Sequence, residues 1–589
     1  MIRAGHGTLA ATLFSSATRV SGKKYCLEDE KADHRCCWAW LRGLYRVPFL
    51  SRSVAGNRAS ARPGAARGSA VAFLGAILPV LIAGVGCGGT SYIGTAVTGN
   101  VSATANPLVA MYSLSLVRTA KVTVAFGKTT SYGLKTSMQE TPAGGGQVSI
   151  LVAGMQANTT YHMQAQVQFS NGVTSFDSDR TFTTGSYPAG LLPTLTATTA
   201  PGQTPQPGIE IINPIGSVVQ LLATDLSGNI IWAYYDPTVN PGVSTWLAPK
   251  QLANGDFIAI VSPSSTLPLT SPVPAGAANL VREFDLAGNT VRQITMTQLN
   301  AALEAAGYDL TLLLFSHDIT VLPNGHWIIL ANTFKSVVLT GATAPTQVLG
   351  DVLVDLDTNM QPVWVWSEFD HLDVNRHPWN FPDWTHTNAV IYSPDDGDLL
   401  VSMRHQNWVI KVDYNNGNGT GDILWHLGAG GDLTLVGGTS PTDWSYAQHG
   451  IAFTTPNSSG QFGLAVMDNG DDRIYPGGDP NVGVPCGVNG APPCYSTATV
   501  FHIDEGSKTA TLEFHQVQPP NLYNYFGGNA LSLDNGDIEY DLCGLTPEAS
   551  LAVEATNEAN PQTVWSMSFS NNSAYRSYRA PSLYPGVQW

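Results

Sequence analysis

The chain has 589 residues, 43% hydrophobic and only 12% charged, with 59 Gly and 37 Pro, a composition that fills one large core or two ordinary ones and excludes a disordered protein as the default. Charge is split along it: residues 1–68 carry 12 Lys/Arg against 4 Asp/Glu, yet the whole chain has a formal net charge of −16. The acidic body excludes nucleic acid as the expected partner, because neutralising phosphates takes clustered Lys and Arg.

Residues 1–87 read as a basic leader and an export segment. The run 69–86, SAVAFLGAILPVLIAGVG, is uncharged and follows Arg58, Arg62 and Arg67, the order of a signal peptide's positive and apolar regions. It closes on Gly86-Cys87-Gly88-Gly89, which resembles a bacterial lipoprotein cleavage site with Cys87 as the lipidated residue. A cleaved signal and a retained membrane anchor are the other readings of so long an apolar run. Seven cysteines are too few for a disulfide scaffold in a chain of this size. Cys486 and Cys494 bracket GVNGAPP, a Gly/Pro loop short enough to close into a disulfide, with two free thiols as the alternative.

Residues 88–186 alternate apolar and polar in short runs separated by Gly, Asn and Pro, the pattern of a β-sandwich. The stretch from Leu151 to Thr184 is similar to the last strands of a fibronectin type III-like module, with Tyr161 placed as a tyrosine corner. Residues 187–208 are Pro/Thr-rich and read as a linker. From 209 to 589 the chain repeats two phrases. One is an apolar strand, a turn with Asp or Gly, and a strand that often ends at Trp, as in ATDLSGNIIWAYY, VDLDTNMQPVWVWSEF and KVDYNNGNGTGDILWHLG. The other is an apolar hairpin around a tight Gly turn, as in QLANGDFIAIV, TVLPNGHWIILA and LAVMDNGDD. Six such units of four strands predict an all-β fold with a six-bladed β-propeller behind the sandwich. Insertions at 365–385 and 476–495 then cover one face. The recurring Trp232, Trp366, Trp425 and Trp565 read as packing between units.

In a propeller the first strand of each unit lines the channel, so a residue just ahead of the first hairpin points to the channel mouth. His317, His386 and Asn529 lie 8, 11 and 7 residues before Gly325, Gly397 and Gly536, and His449 precedes the strand GIAFTT in the comparable place. Arg404 lies in MRHQNWVIKVDY; its planar fork suits a tetrahedral oxyanion, with an ion pair to Asp383 or Asp413 as the plain alternative. His405, next along the same strand, is expected to point away and to be structural. Asp318 and Asn388 adjoin the histidines and are candidates to fix them or to contact substrate.

The phrases SHDITVLPNGHWIILAN, DWTHTNAVIY, MRHQNWVIKVDY, ILWHLG, QHGIAF and MDNG resemble the bacterial arylsulfate sulfotransferases. The resemblance implies an exported, periplasmic or envelope-bound enzyme that moves a sulfuryl group from a phenolic sulfate donor to a phenolic acceptor through a sulfated histidine, without a nucleotide, cofactor or metal. It makes His449 the nucleophile, His386 and Arg404 sulfuryl-binding residues, and His317 a further active-site histidine; the chemistry favours His317 for proton transfer, with His386 as the alternative. Asn388, Asp318 and Asn529 follow as substrate-binding candidates, and the resemblance leaves room for a homodimer. Gly450 and Met403 depart from the side chains expected beside these residues. The rival readings are an exported propeller that binds without catalysing and a metal- or quinone-dependent propeller oxidoreductase.

Overall fold

A computed structural model describes residues 97–589 except 216, 265–272, 477–482, 489, 518–521, 546–548 and 571–572. The leader, the apolar run 69–86 and Cys87 lie outside the described residues. The molecule is all-β, and Met296–Ala306 is the one helix longer than a single turn among the described residues. No helix among them is long and apolar enough to cross a membrane.

Alternation in the first part produces two antiparallel sheets that share one core. Gly99–Ala103, Ala110–Leu116 and Gly146–Val152 form one; the other is built on the pair Ala120–Gly127 and Thr160–Phe169. Ala120, Val122, Val124 and Phe126 are all buried, as a period of two requires. They pack with Tyr112, Leu114, Ile150 and Met163. The Tyr161 hydroxyl accepts a hydrogen bond from the Gln156 N–H at 3.0 Å, the geometry of a tyrosine corner. Within 187–208, read from sequence as a linker, Thr194–Thr199 is a strand that pairs with Thr563–Ser570 near the chain's other end.

Six further sheets follow. The first joins Ile209–Ile215, Leu221–Thr224 and Ile230–Tyr234 to the late strand Ser573–Ala580; the second runs from Ser244–Gln251 to Thr290–Thr295; the third from Leu314–Val321 to Pro362–Ser367. The fourth runs from Thr387–Tyr392 to Ile423–Leu427, the fifth from His449–Ser458 to Thr509–Val517 with Thr434–Val436 added in parallel, and the sixth from Ala530–Ser532 to Thr563–Ser570 with Thr194–Thr199 on its edge. Ile209–Ile215 touches Ser244–Gln251, which touches Leu314–Val321; contact then passes to Thr387–Tyr392, His449–Ser458 and Ala530–Ser532. Ser573–Ala580 packs on Ile538–Leu545 and so returns the succession to its start. Thr194–Thr199 and Ser573–Ala580 are thus each built into a sheet formed mainly by a distant part of the chain, which covers strand edges that would otherwise invite pairing with other chains.

The repeated tryptophans tie neighbouring sheets. Trp232, Trp366 and Trp565 each donate the indole N–H to a carbonyl in a turn of the following sheet, at Leu286, Gly421 and Leu226, all at 2.8 Å. Trp425 donates to the Glu505 carboxylate at 2.9 Å. Closure is further held by Arg579, which pairs with Glu210 and Glu554, each at 3.0 Å. Replacing Trp565 by Ala is expected to cost about 3–5 kcal/mol, and by Phe about 1 kcal/mol for the lost N–H bond. Urea unfolding of the whole protein checks this; a loss below about 1 kcal/mol for Trp565→Ala would show that the latch does not hold the closure.

Candidate active site

The inner strands of the third and fifth sheets carry His317 and His449, His386 lies one residue ahead of that of the fourth, and the pairing of each strand is irregular. His317 and His386 hold positive φ values of 62° and 50°. Pairing with the second strand slips between Phe315 and Ile319, Thr387 and Ala389, and His449 and Ile451. Backbone of this kind costs on the order of 1–3 kcal/mol per residue and persists only where the surroundings fix it. Around His386 the fixing groups are buried acids. Asp351 accepts the Thr387 N–H at 2.7 Å and the Thr385 hydroxyl at 3.2 Å, and Glu368 accepts the Thr387 hydroxyl. Burial, and then neighbouring carboxyl groups, push Asp351 well above the usual carboxylate range and Glu368 up to about 7.

The three residues grouped from sequence as substrate contacts occupy tying positions. Asp318 is fully buried: one oxygen accepts the Ile319 N–H at 2.8 Å and pairs with Lys250 at 2.9 Å, and the other accepts the Val390 N–H at 3.0 Å. It links three sheets. Asn388 donates to the Gln448 carbonyl at 2.6 Å, immediately ahead of His449. Asn529 donates to the Ser577 carbonyl at 2.8 Å.

His317, His386 and His405 form a row. Ring centroids are 4.6 Å apart for His317 and His386 and 4.4 Å for His386 and His405, and Trp379 stacks on His405 at 4.6 Å with planes 9° apart. His386 Nδ1 pairs with the Asp383 carboxylate, and His405 Nδ1 lies 2.9 Å from the Asp383 carbonyl oxygen. His405 was expected to point away from the site. The expectation fails because the strand ends at Met403 and residues Arg404–Gln406 form a 3₁₀ turn, where alternation no longer applies. Burial, partly offset by Asp383, holds His405 down to about 3, so it is neutral at working pH. Asp383, His386 and His405 place ligand atoms within 4.8 Å of one another, a set able to hold a metal ion.

Arg404 is 4% exposed. Its Nη2 donates to Asp471 at 3.3 Å and to the Tyr525 carbonyl at 3.2 Å, and Tyr523 donates its hydroxyl to the same Asp471. Asp471 is thus a carboxylate partner of Arg404 that the sequence did not single out. His449 is completely buried. Its Nδ1 lies 2.5 Å from Asn469 Oδ1 and 3.1 Å from the Ala447 carbonyl oxygen. The Asn469 amide donates to the carbonyls of Asn524 at 2.9 Å and Gly527 at 3.0 Å, which turns its oxygen toward His449. With two acceptors on Nδ1, a proton resides there, and in the neutral ring the lone pair is then on Nε2.

The Arylsulfotransferase (ASST) family model matches residues 202–576, which span all of these positions. The chain belongs to the arylsulfotransferase family. No curated protein matches it. Among solved structures it is similar to a putative 6-phosphogluconolactonase from Bacteroides fragilis at 9% identity, covering 78% of this chain and 98% of that one with a TM-score of 0.30. It is also similar to an α-L-arabinofuranosidase from Fusarium graminearum at 10% identity, covering 56% and 89% with a TM-score of 0.27.

This family member therefore presents a histidine held at Nδ1 by two acceptors, a buried guanidinium and a carboxylate–histidine pair. Asn469 and Asp471 were hidden in LAVMDNGDD, read from sequence as a hairpin. The strand instead ends at Asp468, and the next strand of the same sheet begins at Thr497, with the short pair Ile474–Tyr475 and Val484–Pro485 between them. Between them the loop is braced by the Cys486–Cys494 disulfide and by Arg473, which pairs with Asp468 at 2.5 Å and donates to the carbonyls of Thr442, Trp444 and Tyr495. Gly450 also has a reason: a Cβ there would collide with the Arg576 guanidinium. Replacing Asn469 by Ala frees the His449 tautomer and is expected to lower aryl sulfate turnover by about 10²-fold or more with the fold retained. Steady-state rates and a melting curve on the purified variant check this; a rate within threefold of the parent would contradict the role.

Proposed function

We propose that this chain is a nucleotide-independent aryl sulfotransferase working by a ping-pong route through sulfated His449. The observation that carries the reading is the clamp on His449: Asn469 and Ala447 both accept from Nδ1, so Nε2 is the nucleophilic atom. Nε2 attacks sulfur, the bond from sulfur to the aryl oxygen breaks, and the phenolate leaves with a proton from a neighbouring histidine. The ring becomes a sulfoimidazolium whose added positive charge is met by the two acceptors on Nδ1. An acceptor phenol then gives its proton to the same histidine and attacks sulfur; the S–N bond breaks and its electrons return to Nε2. Arg404 offsets charge on the sulfuryl oxygens in both halves.

Sequence favours His317 for the proton. The Asp383 carboxylate on Nδ1 of His386 supports giving it to His386, since that pairing orients the ring and leaves Nε2 as the exchanging atom. His317 then faces the sulfuryl oxygens. The same proposal takes the six closed sheets as a six-bladed propeller and the two sheets before them as a sandwich, supported by the strand succession and the Tyr161 corner. The apolar run 69–86 supports export to the periplasm or envelope, with Cys87 as a lipid attachment point.

The test mixes purified protein with 4-nitrophenyl sulfate, with and without phenol and with no nucleotide. Phenol-stimulated nitrophenol release and an intact-mass gain of one SO₃, both absent in His449→Ala, are expected. Release indifferent to phenol would indicate a sulfatase instead, and transfer surviving in His449→Ala would place the nucleophile elsewhere. His386→Ala is expected to lose about 10²- to 10⁴-fold with donors whose phenolate needs protonation, and less with the nitrophenyl donor, which leaves unaided. Equal losses with both donors would remove His386 from the proton path.

A further inference from the structure

Arg576 lies on Ser573–Ala580, the strand that completes the first sheet, and is 1% exposed. Its guanidinium nitrogens Nε, Nη1 and Nη2 all lack a hydrogen-bond partner in the protein. A buried cation in that state is costly unless an anion meets it. The buried arginines with structural duties are handled differently: Arg473 contacts Asp468, and Arg579 contacts Glu210 and Glu554. Asp541 is close enough to Arg576 for each to feel the other's charge, but the two form no ion pair.

The position of the guanidinium is specific. A Cβ on Gly450 would strike Arg576 Nη1 and the Asn529 side chain, so the charge sits against the residue that follows His449. Arg404, by contrast, shares its charge with Asp471. We infer that Arg576 is a second anion-holding residue of the sulfuryl-transfer site, supplying the positive charge that Arg404 alone, already paired, does not. The inference rests on the sulfotransferase reading and explains two features together: why a buried arginine whose guanidinium lies over the Tyr575 ring has no hydrogen-bond partner, and why the residue after His449 is glycine.

The experiment measures 4-nitrophenyl sulfate transfer to phenol, with inorganic sulfate as a competing anion, in the parent, Arg576→Gln, Arg576→Lys and Asp541→Asn. Arg576→Gln is expected to lower kcat/KM about 100-fold and to weaken sulfate inhibition at least about tenfold, as for loss of one fixed charge on a reacting anion. Arg576→Lys should recover part of both. Arg576→Gln retaining kcat/KM within threefold of an active parent overturns this inference alone, whereas an inactive parent overturns the sulfotransferase reading itself. Asp541→Asn keeps the question answerable should Arg576→Gln fail to fold. An anion-holding Arg576 predicts an unchanged or lower KM in that variant; a tenfold fall in kcat with lost stability would mean that Arg576 serves Asp541 structurally and would overturn the inference.

Discussion

The hydrogen bond between His449 Nδ1 and Asn469 Oδ1, 2.5 Å long, is the constraint on which the rest of the site depends. In the proposed route an imidazole attacks sulfur from an unprotonated nitrogen, and this bond decides which nitrogen that would be. A single bond of the kind contributes roughly 0.5–1.5 kcal/mol net, too little to fix a tautomer against competing arrangements. The Asn469 amide is itself held by the Asn524 and Gly527 carbonyls, and the Ala447 carbonyl adds a second acceptor. The network as a whole leaves one low-energy state.

The network spans sheets, so it exists only when they are assembled. Asn388 of the fourth sheet grips the Gln448 carbonyl. The Gln448 side chain donates back to Ser402, Met403 and Trp408 of that same sheet. Asn524 and Gly527 lie on the approach to the sixth sheet, and Arg576 arrives on the closing strand. Closure by the tryptophan latches and by Arg579 is thus a precondition of the chemistry, not only of stability. In a chain this poor in cations, each buried positive charge has an assignable role. Lys250 ties Asp318, Arg473 braces the disulfide loop, Arg404 pairs with Asp471, and Arg576 lies against Gly450.

What was legible in sequence follows from what kind of signal each residue leaves. The histidines were visible because the Gly turns of successive hairpins mark equivalent places, and the tryptophans because they recur with the strands. His405 was misread because alternation was assumed to continue through a 3₁₀ turn. Asn469 was missed because Asn-Gly between apolar residues looks the same whether it turns a hairpin or opens a long loop. Arg576 has no local signature at all: the closing strand carries it across more than one hundred residues of chain to reach Gly450. The helix Met296–Ala306 did leave a signal in the Thr295–Gln298 capping box and the buried Leu299 and Leu303, obscured by strand patterns on both sides. Thr194–Thr199 looked like a linker because none of its side chains is fully buried; its place comes from pairing with a strand near the other end of the chain.

The central claim, that His449 is presented with its proton on Nδ1 and its lone pair on Nε2, is tested most directly by ¹⁵N NMR of histidine-labelled protein near neutral pH, with His449 assigned by comparison with the His449→Gln variant. The account requires a neutral ring with a protonated, pyrrole-like Nδ1 and a pyridine-like Nε2. A neutral ring protonated at Nε2, or an imidazolium under the same conditions, would contradict it.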